Sequence, residues 1–121
     1  MEQRYFTRNF TRVELAAGAR IETDQAQVPG DVANISMNGM FIRTRQQLPV
    51  DNTVRVFIYP GADEEIHVQA RVLRSSEGGS ALKIEKMELD SFVKLRNIIS
   101  EKCDDQEVIM REVFKVVGNI A

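Results

Sequence analysis

The stretch VANISMNGMFIRT, residues 32–44, reads as two short strands hinged on a tight turn. Asn38 and Gly39 form the turn signal, because Asn and Gly accept the backbone angles that a sharp reversal needs. Met40, Phe41 and Ile42 open the second arm with residues suited to a pleated, half-buried surface. Two strands joined this closely run antiparallel. Whether they belong to a larger sheet is decided by the sequence on either side.

Upstream, VELAAGARIETD places Val13, Leu15, Ala17, Ala19 and Ile21 on one face, a period of two. QVPGDVANIS follows, with Pro29 and Gly30 marking a kink or bulge. Downstream, TVRVFIY sets Val54, Val56 and Ile58 against Arg55, Phe57 and Tyr59. After the polar turn PGADEE, Ile66, Val68, Ala70 and Val72 face one way in IHVQARVLRS, and EGG leads into SALKIE. About six short strands with no helix between them imply a mainly β fold, an antiparallel sheet closed into a barrel or folded as a sandwich. Closure removes the exposed edges that such strands otherwise present.

The pattern changes at Glu85. Asp90 and Ser91 are candidate N-caps, and Phe92, Leu95, Ile99 and Cys103 recur at helical spacing. CDDQE interrupts or restarts the helix, VIMREVFKVV continues it, and Gly118 is a plausible stop. The expected organisation is one domain: a basic N-terminal arm over 1–12, a barrel over 13–88 and a C-terminal helical region over 89–118.

The chain of 121 residues is 43% hydrophobic and 28% charged, a balance that supports one modest core. No apolar run is long enough to span a bilayer, and the N-terminus lacks the pattern of a signal peptide. The single Cys103 has no internal disulfide partner, so the expected location is the reducing cytoplasm. The net charge of −2 disfavours broad binding to duplex nucleic acid. Charge is unevenly placed. Residues 1–12 hold Arg4, Arg8 and Arg12 against Glu2, whereas residues 13–84 hold seven basic and nine acidic side chains. A basic arm ahead of a mildly acidic body suits a small anionic ligand better than a long polyanion.

Catalytic and metal-binding sets are lacking. One His and one Cys exclude the usual metal clusters, and no Ser-His-Asp or Cys-His set assembles. His67 alternates with Ile66 and Val68, which places it on the outer face of a strand. Cys103 falls on the apolar helical stripe. EGGS at 77–80 lacks the surroundings of a phosphate-binding loop. The sequence therefore reads as a non-enzymatic binding domain with no metal or redox cofactor.

Two features carry binding chemistry. Arg8-x-x-x-Arg12 offers two permanently charged forks that can hold phosphate oxygens bidentately or pair with guanine O6 and N7. On an extended arm the forks lie roughly 13 Å apart at ~3.3 Å per residue, and on a helical turn about 6 Å apart. Either span suits a dinucleotide with two phosphates. Asn34-x-Ser36-x-x-Gly39 falls where a strand ends in a turn. Asn34 and Ser36 are two apart and so share a strand face. Their amide and hydroxyl can together read the edge of a base, while Gly39 permits positive φ in the turn.

In this order and on this strand pattern, RxxxR followed by NxSxxG resembles the PilZ domain family. VANISMNGMFIRT and GGSALKIE share that likeness, which covers roughly residues 8–100. The resemblance implies a six-stranded antiparallel barrel followed by a helix, and binding of the bacterial second messenger cyclic di-GMP. It implies that Arg8 and Arg12 clamp the ligand from an arm that closes over it. Asn34 and Ser36 would read a guanine, and Gly39 would form the turn. Asn34 stands where many members carry Asp. Arg4 and Arg8 repeat the RxxxR spacing, but Arg12 leads directly into VEL, where the second arginine of the family stands. The resemblance further suggests an output through a protein partner of motility, pili or exopolysaccharide systems. Two alternatives are a PilZ-like interaction module that binds no nucleotide and a small barrel for single-stranded nucleic acid. The latter wants aromatic platforms and a basic groove, whereas aromatics are 7% here and the body is acidic.

Overall fold

The computed structural model describes residues 10–120. Seven strands form one antiparallel sheet: β1 (Val13–Glu14), β2 (Gly18–Glu22), β3 (Gln27–Ile35), β4 (Gly39–Thr44), β5 (Thr53–Gly61), β6 (Glu64–Ser76) and β7 (Gly79–Met87). Six of them close on themselves in the order β3-β2-β5-β6-β7-β4, because β4 pairs with both β7 and β3. The seventh, β1, pairs with the end of β3. Two helices follow, α1 (Leu89–Lys102) and α2 (Gln106–Val116), and then a 3₁₀ turn over Val117–Asn119.

The alternating patterns land as the sequence implies. Val54, Val56 and Ile58 of β5 and Ile66, Val68, Ala70 and Val72 of β6 point into the barrel. They meet Ile21, Ile35, Met40, Ile42, Leu82 and Ile84 from the other strands. At about 25 cal/mol per Å² of apolar surface removed from water, this interior is the main stabilising term of the fold. The α1 helix packs on β6 and adds Phe92, Leu95 and Ile99 to the core. Cys103 is half-buried beside them, and α2 continues the cluster with Ile109 and Val116.

Four local expectations are corrected. The run from Val13 to Ile21 is two strands. Glu14 pairs with Asn34 and Gly18 with Asp31, so three residues, 15–17, face only two, 32–33. An unbroken ladder cannot absorb that surplus, and the Ala17 carbonyl instead accepts the Val32 N–H at 2.9 Å. Pro29 and Gly30 stay in regular register with Arg20 and Ala19, and the irregularity of β3 falls later, between Val32 and Asn34. Gly30 is required by crowding: a Cβ there would lie 2.7 Å from the Arg43 carbonyl oxygen. Asp90 and Ser91 do not cap α1. The cap position is Glu88, with no side-chain cap bond, while the Ser91 hydroxyl accepts the His67 N–H at 2.9 Å and fastens the helix to β6. Gly118 does not follow the last helical turn as a stop but sits inside the 3₁₀ turn. The restart at CDDQE is capped by Asp105, whose carboxylate accepts the Glu107 and Val108 N–H groups.

Candidate functional site: the arm and the β3–β4 turn

Arg12 stands at the end of the arm, one residue before β1. The pairing of β1 with the end of β3 sets Glu14 opposite Asn34. Arg12 is thereby carried to the same end of β3, and its Nη1 donates to Asn34 Oδ1 at 2.6 Å. The short strand that breaks the β2 ladder is thus what delivers the arginine to the turn motif. Arg8 lies outside the described residues.

The motif residues divide by environment. Asn34 is half-buried and reaches solvent, whereas Ser36 is fully buried. The Ser36 Oγ lies 2.9 Å from Asn38 Oδ1 and 3.3 Å from the Gly39 carbonyl oxygen, and it accepts the Asn38 N–H at 3.3 Å. Its hydroxyl is occupied in holding the turn together, along with the backbone bond from Ser36 N–H to the Gly39 carbonyl at 2.8 Å. Asn34 and Ser36 therefore do not present a shared exposed edge. Gly39 is also corrected. Gly79 is the glycine with positive φ among the described residues, at 142°, and Gly39 has an ordinary strand backbone. Gly39 is needed because a Cβ there would meet the Leu82 carbonyl oxygen at 2.8 Å, where β4 lies against β7.

Around this turn lies an open cleft of ≈ 720 Å³. Arg12, Asn34 and Asn38 line it together with Phe41, and β6 and β7 contribute Leu73, Arg74 and Lys83. Among the described residues, three cations line the cleft and no carboxylate does. The mildly acidic body thus carries a local positive site whose sign the net charge conceals. Phe41 and half-exposed Leu73 supply apolar surface beside those charges. Permanent charge, a side-chain amide and an apolar wall are the elements that hold phosphate, a base edge and a base face respectively.

Sequence reasoning missed Asn38, Phe41, Leu73, Arg74 and Lys83. Their signal is the strand register. Gly39 lies opposite Lys83, Phe41 opposite Ala81, and Ala81 opposite Arg74. Pairing β4 with β7, and β7 with β6, before assigning site residues would have found the two cations.

Chemistry elsewhere is sparse. His67 lies on the outer face, stacked on Phe57 with centroids 4.3 Å apart and Arg20 above the same Phe57 ring. The hydrogen bond to Tyr59, aided by Glu22, raises the Arg20 pKa further above its ordinary value. No group of three or more His, Cys, Asp or Glu side chains is placed to hold a metal among the described residues. No helix there is long and apolar enough to cross a membrane.

Comparison with known proteins gives the fold a family. Among solved structures, the chain is similar to the PilZ domain with c-di-GMP of YcgR from Escherichia coli, with a TM-score of 0.64 and 11% identity over 93% of this chain and 98% of that one. It is similar to the Bacillus subtilis inhibitor of motility MotI/DgrA, with a TM-score of 0.62 and 18% identity over 89% of this chain and 52% of that one. The PilZ domain of CeSA from a cellulose-synthesizing bacterium matches with a TM-score of 0.58 and 17% identity, over 74% of this chain and 94% of that one. A search of curated protein sequences gave no match. At these identities the structural likenesses speak to fold. The family assignment rests on the sequence: the PilZ domain model matches residues 6–101, the whole barrel and all but the last residue of α1. The chain belongs to the PilZ domain family.

Proposed function

We propose that this domain is a receptor for cyclic di-GMP, a binding protein and not an enzyme, acting in the bacterial cytoplasm. The observation that carries the reading is the 2.6 Å contact of Arg12 with Asn34 at the mouth of a cleft that, among the described residues, is lined by three cations and no carboxylate. Arg12 and Arg8 clamp the ligand, with phosphate and guanine as their targets. Asn34 reads a guanine edge. Ser36 and Gly39 act through the turn, by fixing Asn38 and by letting β4 approach β7. Membership of the PilZ family and the likeness to a PilZ domain with c-di-GMP support the choice of ligand. Occupancy is relayed to a protein partner. The structural neighbours, an inhibitor of motility and a PilZ domain from a cellulose-synthesizing bacterium, support an output in motility or exopolysaccharide production.

Binding of this kind can order the arm. Fixing one backbone residue costs about 1–2 kcal/mol, and each charge-assisted hydrogen bond returns ~1.5–3 kcal/mol. Calorimetric titration with cyclic di-GMP, against GTP and a short single-stranded oligonucleotide, tests the reading. Saturable binding of cyclic di-GMP alone is expected. Heat with none of the three would leave an interaction module that binds no nucleotide, and heat with the oligonucleotide would favour the nucleic-acid barrel.

A further inference from the structure

The arm reaches the cleft by way of α2. Thr11, the residue before Arg12, donates its backbone N–H to Glu112 Oε2 at 2.8 Å and its hydroxyl to the same oxygen at 2.7 Å. These contacts join positions 101 apart in the chain. The residue before that, Phe10, packs against the core with its ring 5.5 Å from Lys115 Nζ. Two consecutive arm residues are therefore seated on α2 immediately ahead of the arginine that lines the cleft.

Glu112 is an unusual side chain for its place. It is only 4% exposed, on the face of α2 that also buries Ile109 and Val116. Its Oε1 has no hydrogen-bond partner among the described residues. No cation pairs with it among the described residues. Burying a carboxylate with half its acceptor capacity unused costs folding free energy, and an apolar residue of similar size is commonly as stable or more so. The contribution of Glu112 is thus to fix Thr11 and not to hold the core.

We infer that Glu112 is a positioning residue of the ligand site: by holding Thr11 through two hydrogen bonds, it keeps Arg12 beside Asn34 and couples α2 to site occupancy. The inference rests on the cyclic di-GMP reading. With Thr11 released, the arm spends less time in the binding-competent arrangement. Apparent affinity falls by that same fraction. The coupling is reciprocal, so ligand that holds Arg12 also holds the arm on α2.

The test uses Glu112→Leu, Glu112→Gln and Thr11→Val in the full chain. Cyclic di-GMP affinity is read by calorimetry, stability by thermal unfolding and arm docking by amide exchange at Thr11. Glu112→Leu should bind about tenfold more weakly while its melting temperature holds or rises. Glu112→Gln keeps an acceptor and should retain most of the affinity. Thr11→Val removes the hydroxyl donor from an arm residue outside the barrel, and it should weaken binding without loss of stability. Adding it to Glu112→Leu should cost nothing more, since Glu112→Leu has already removed the acceptor of both Thr11 bonds. Ligand should slow Thr11 exchange in the wild type and not in Glu112→Leu. Wild-type affinity in Glu112→Leu and Thr11→Val would overturn the inference while leaving the ligand reading intact. So would affinity that falls only in step with stability. If Glu112→Leu does not fold, Thr11→Val decides by the same criteria. Failure of the wild type to bind cyclic di-GMP is a separate outcome, and it would overturn both.

Discussion

Arg12 and Asn34 are 22 positions apart and meet at 2.6 Å because β1 pairs with the last residues of β3. The contact joins the arm motif to the turn motif through one short strand. The Asn34 oxygen accepts from the arginine, which leaves its amide N–H donors for a partner in the cleft. Aspartate at the same position would offer acceptors only. The motif position therefore sets which hydrogen-bonding edge faces a ligand once the arginine is seated.

Removing the guanidinium should separate binding from folding. Arg12→Ala and Arg8→Ala are each expected to weaken cyclic di-GMP binding at least tenfold, which is only ~1.4 kcal/mol. An exposed hydrogen bond contributes on the order of 1 kcal/mol or less to stability, so the melting temperature of Arg12→Ala should move by a few degrees at most. Calorimetry and thermal unfolding on the same samples check both. Unchanged affinity in both variants defeats the clamp, and a loss confined to Arg4→Ala would shift it to the earlier register.

Strand faces were legible in the sequence because burial imposes a period of two that no other force erases. Val54 to Ile58 and Ile66 to Val72 show it directly. Long-range register was not legible. The bulge after Val32 and the surplus residue in 15–17 depend on which strands meet, and that depends on closure of the whole barrel. The same limit explains the site. Asn34, Ser36 and Gly39 were found as a local pattern, whereas Lys83 and Arg74 join them only through the β4–β7 and β6–β7 pairings. The burial of Ser36 and the ordinary strand backbone of Gly39 were not legible for a related reason: a hydroxyl or a glycine in a turn says nothing about which backbone lies behind it.

The division between Asn34 and Ser36 has a measurable signature. Asn34→Ala removes a polar group that reaches the cleft, so it should reduce affinity for cyclic di-GMP more than for the adenine analogue. Ser36→Ala removes a buried hydroxyl from the turn, leaving Asn38 Oδ1 and N–H without that partner. Its loss should fall equally on both ligands and be accompanied by destabilisation of about 1–3 kcal/mol. Competition binding with both dinucleotides distinguishes the two patterns. A guanine-selective loss in Ser36→Ala would return the hydroxyl to base reading.

Gly39→Ala tests close approach against turn geometry. The added Cβ would sit 2.8 Å from the Leu82 carbonyl oxygen, a backbone atom that cannot swing away. Overpacking of this kind costs typically 1–3 kcal/mol, and the spreading of β4 from β7 would widen the cleft between Asn38 and Lys83. A lower denaturation midpoint together with weaker binding is expected. Gly78→Ala in the β6–β7 turn is the control, since a Cβ there meets nothing within 4 Å. Equal stability of the two variants would remove crowding as the reason for glycine at 39.

The two cations that only the register brings to the cleft make the most discriminating test of the ligand class. Arg74 and Lys83 are exposed, stand on neighbouring strands and line the same cleft as Arg12. If they meet phosphates, each contributes a charge term that salt screens, with a Debye length of about 8 Å at physiological ionic strength. Arg74→Ala and Lys83→Ala should therefore each weaken cyclic di-GMP binding several-fold at low salt and by less at high salt. The conservative changes Arg74→Lys and Lys83→Arg keep the charge and should preserve most of the affinity, with Arg74→Lys the poorer of the two if a bidentate fork is in use. Neither alanine variant should lose stability, because neither side chain is buried. Titrations across a salt series read all of this at once. Alanine variants with wild-type affinity and wild-type salt dependence would place the phosphates elsewhere, and the cleft would then be held by Arg12 and the arm alone.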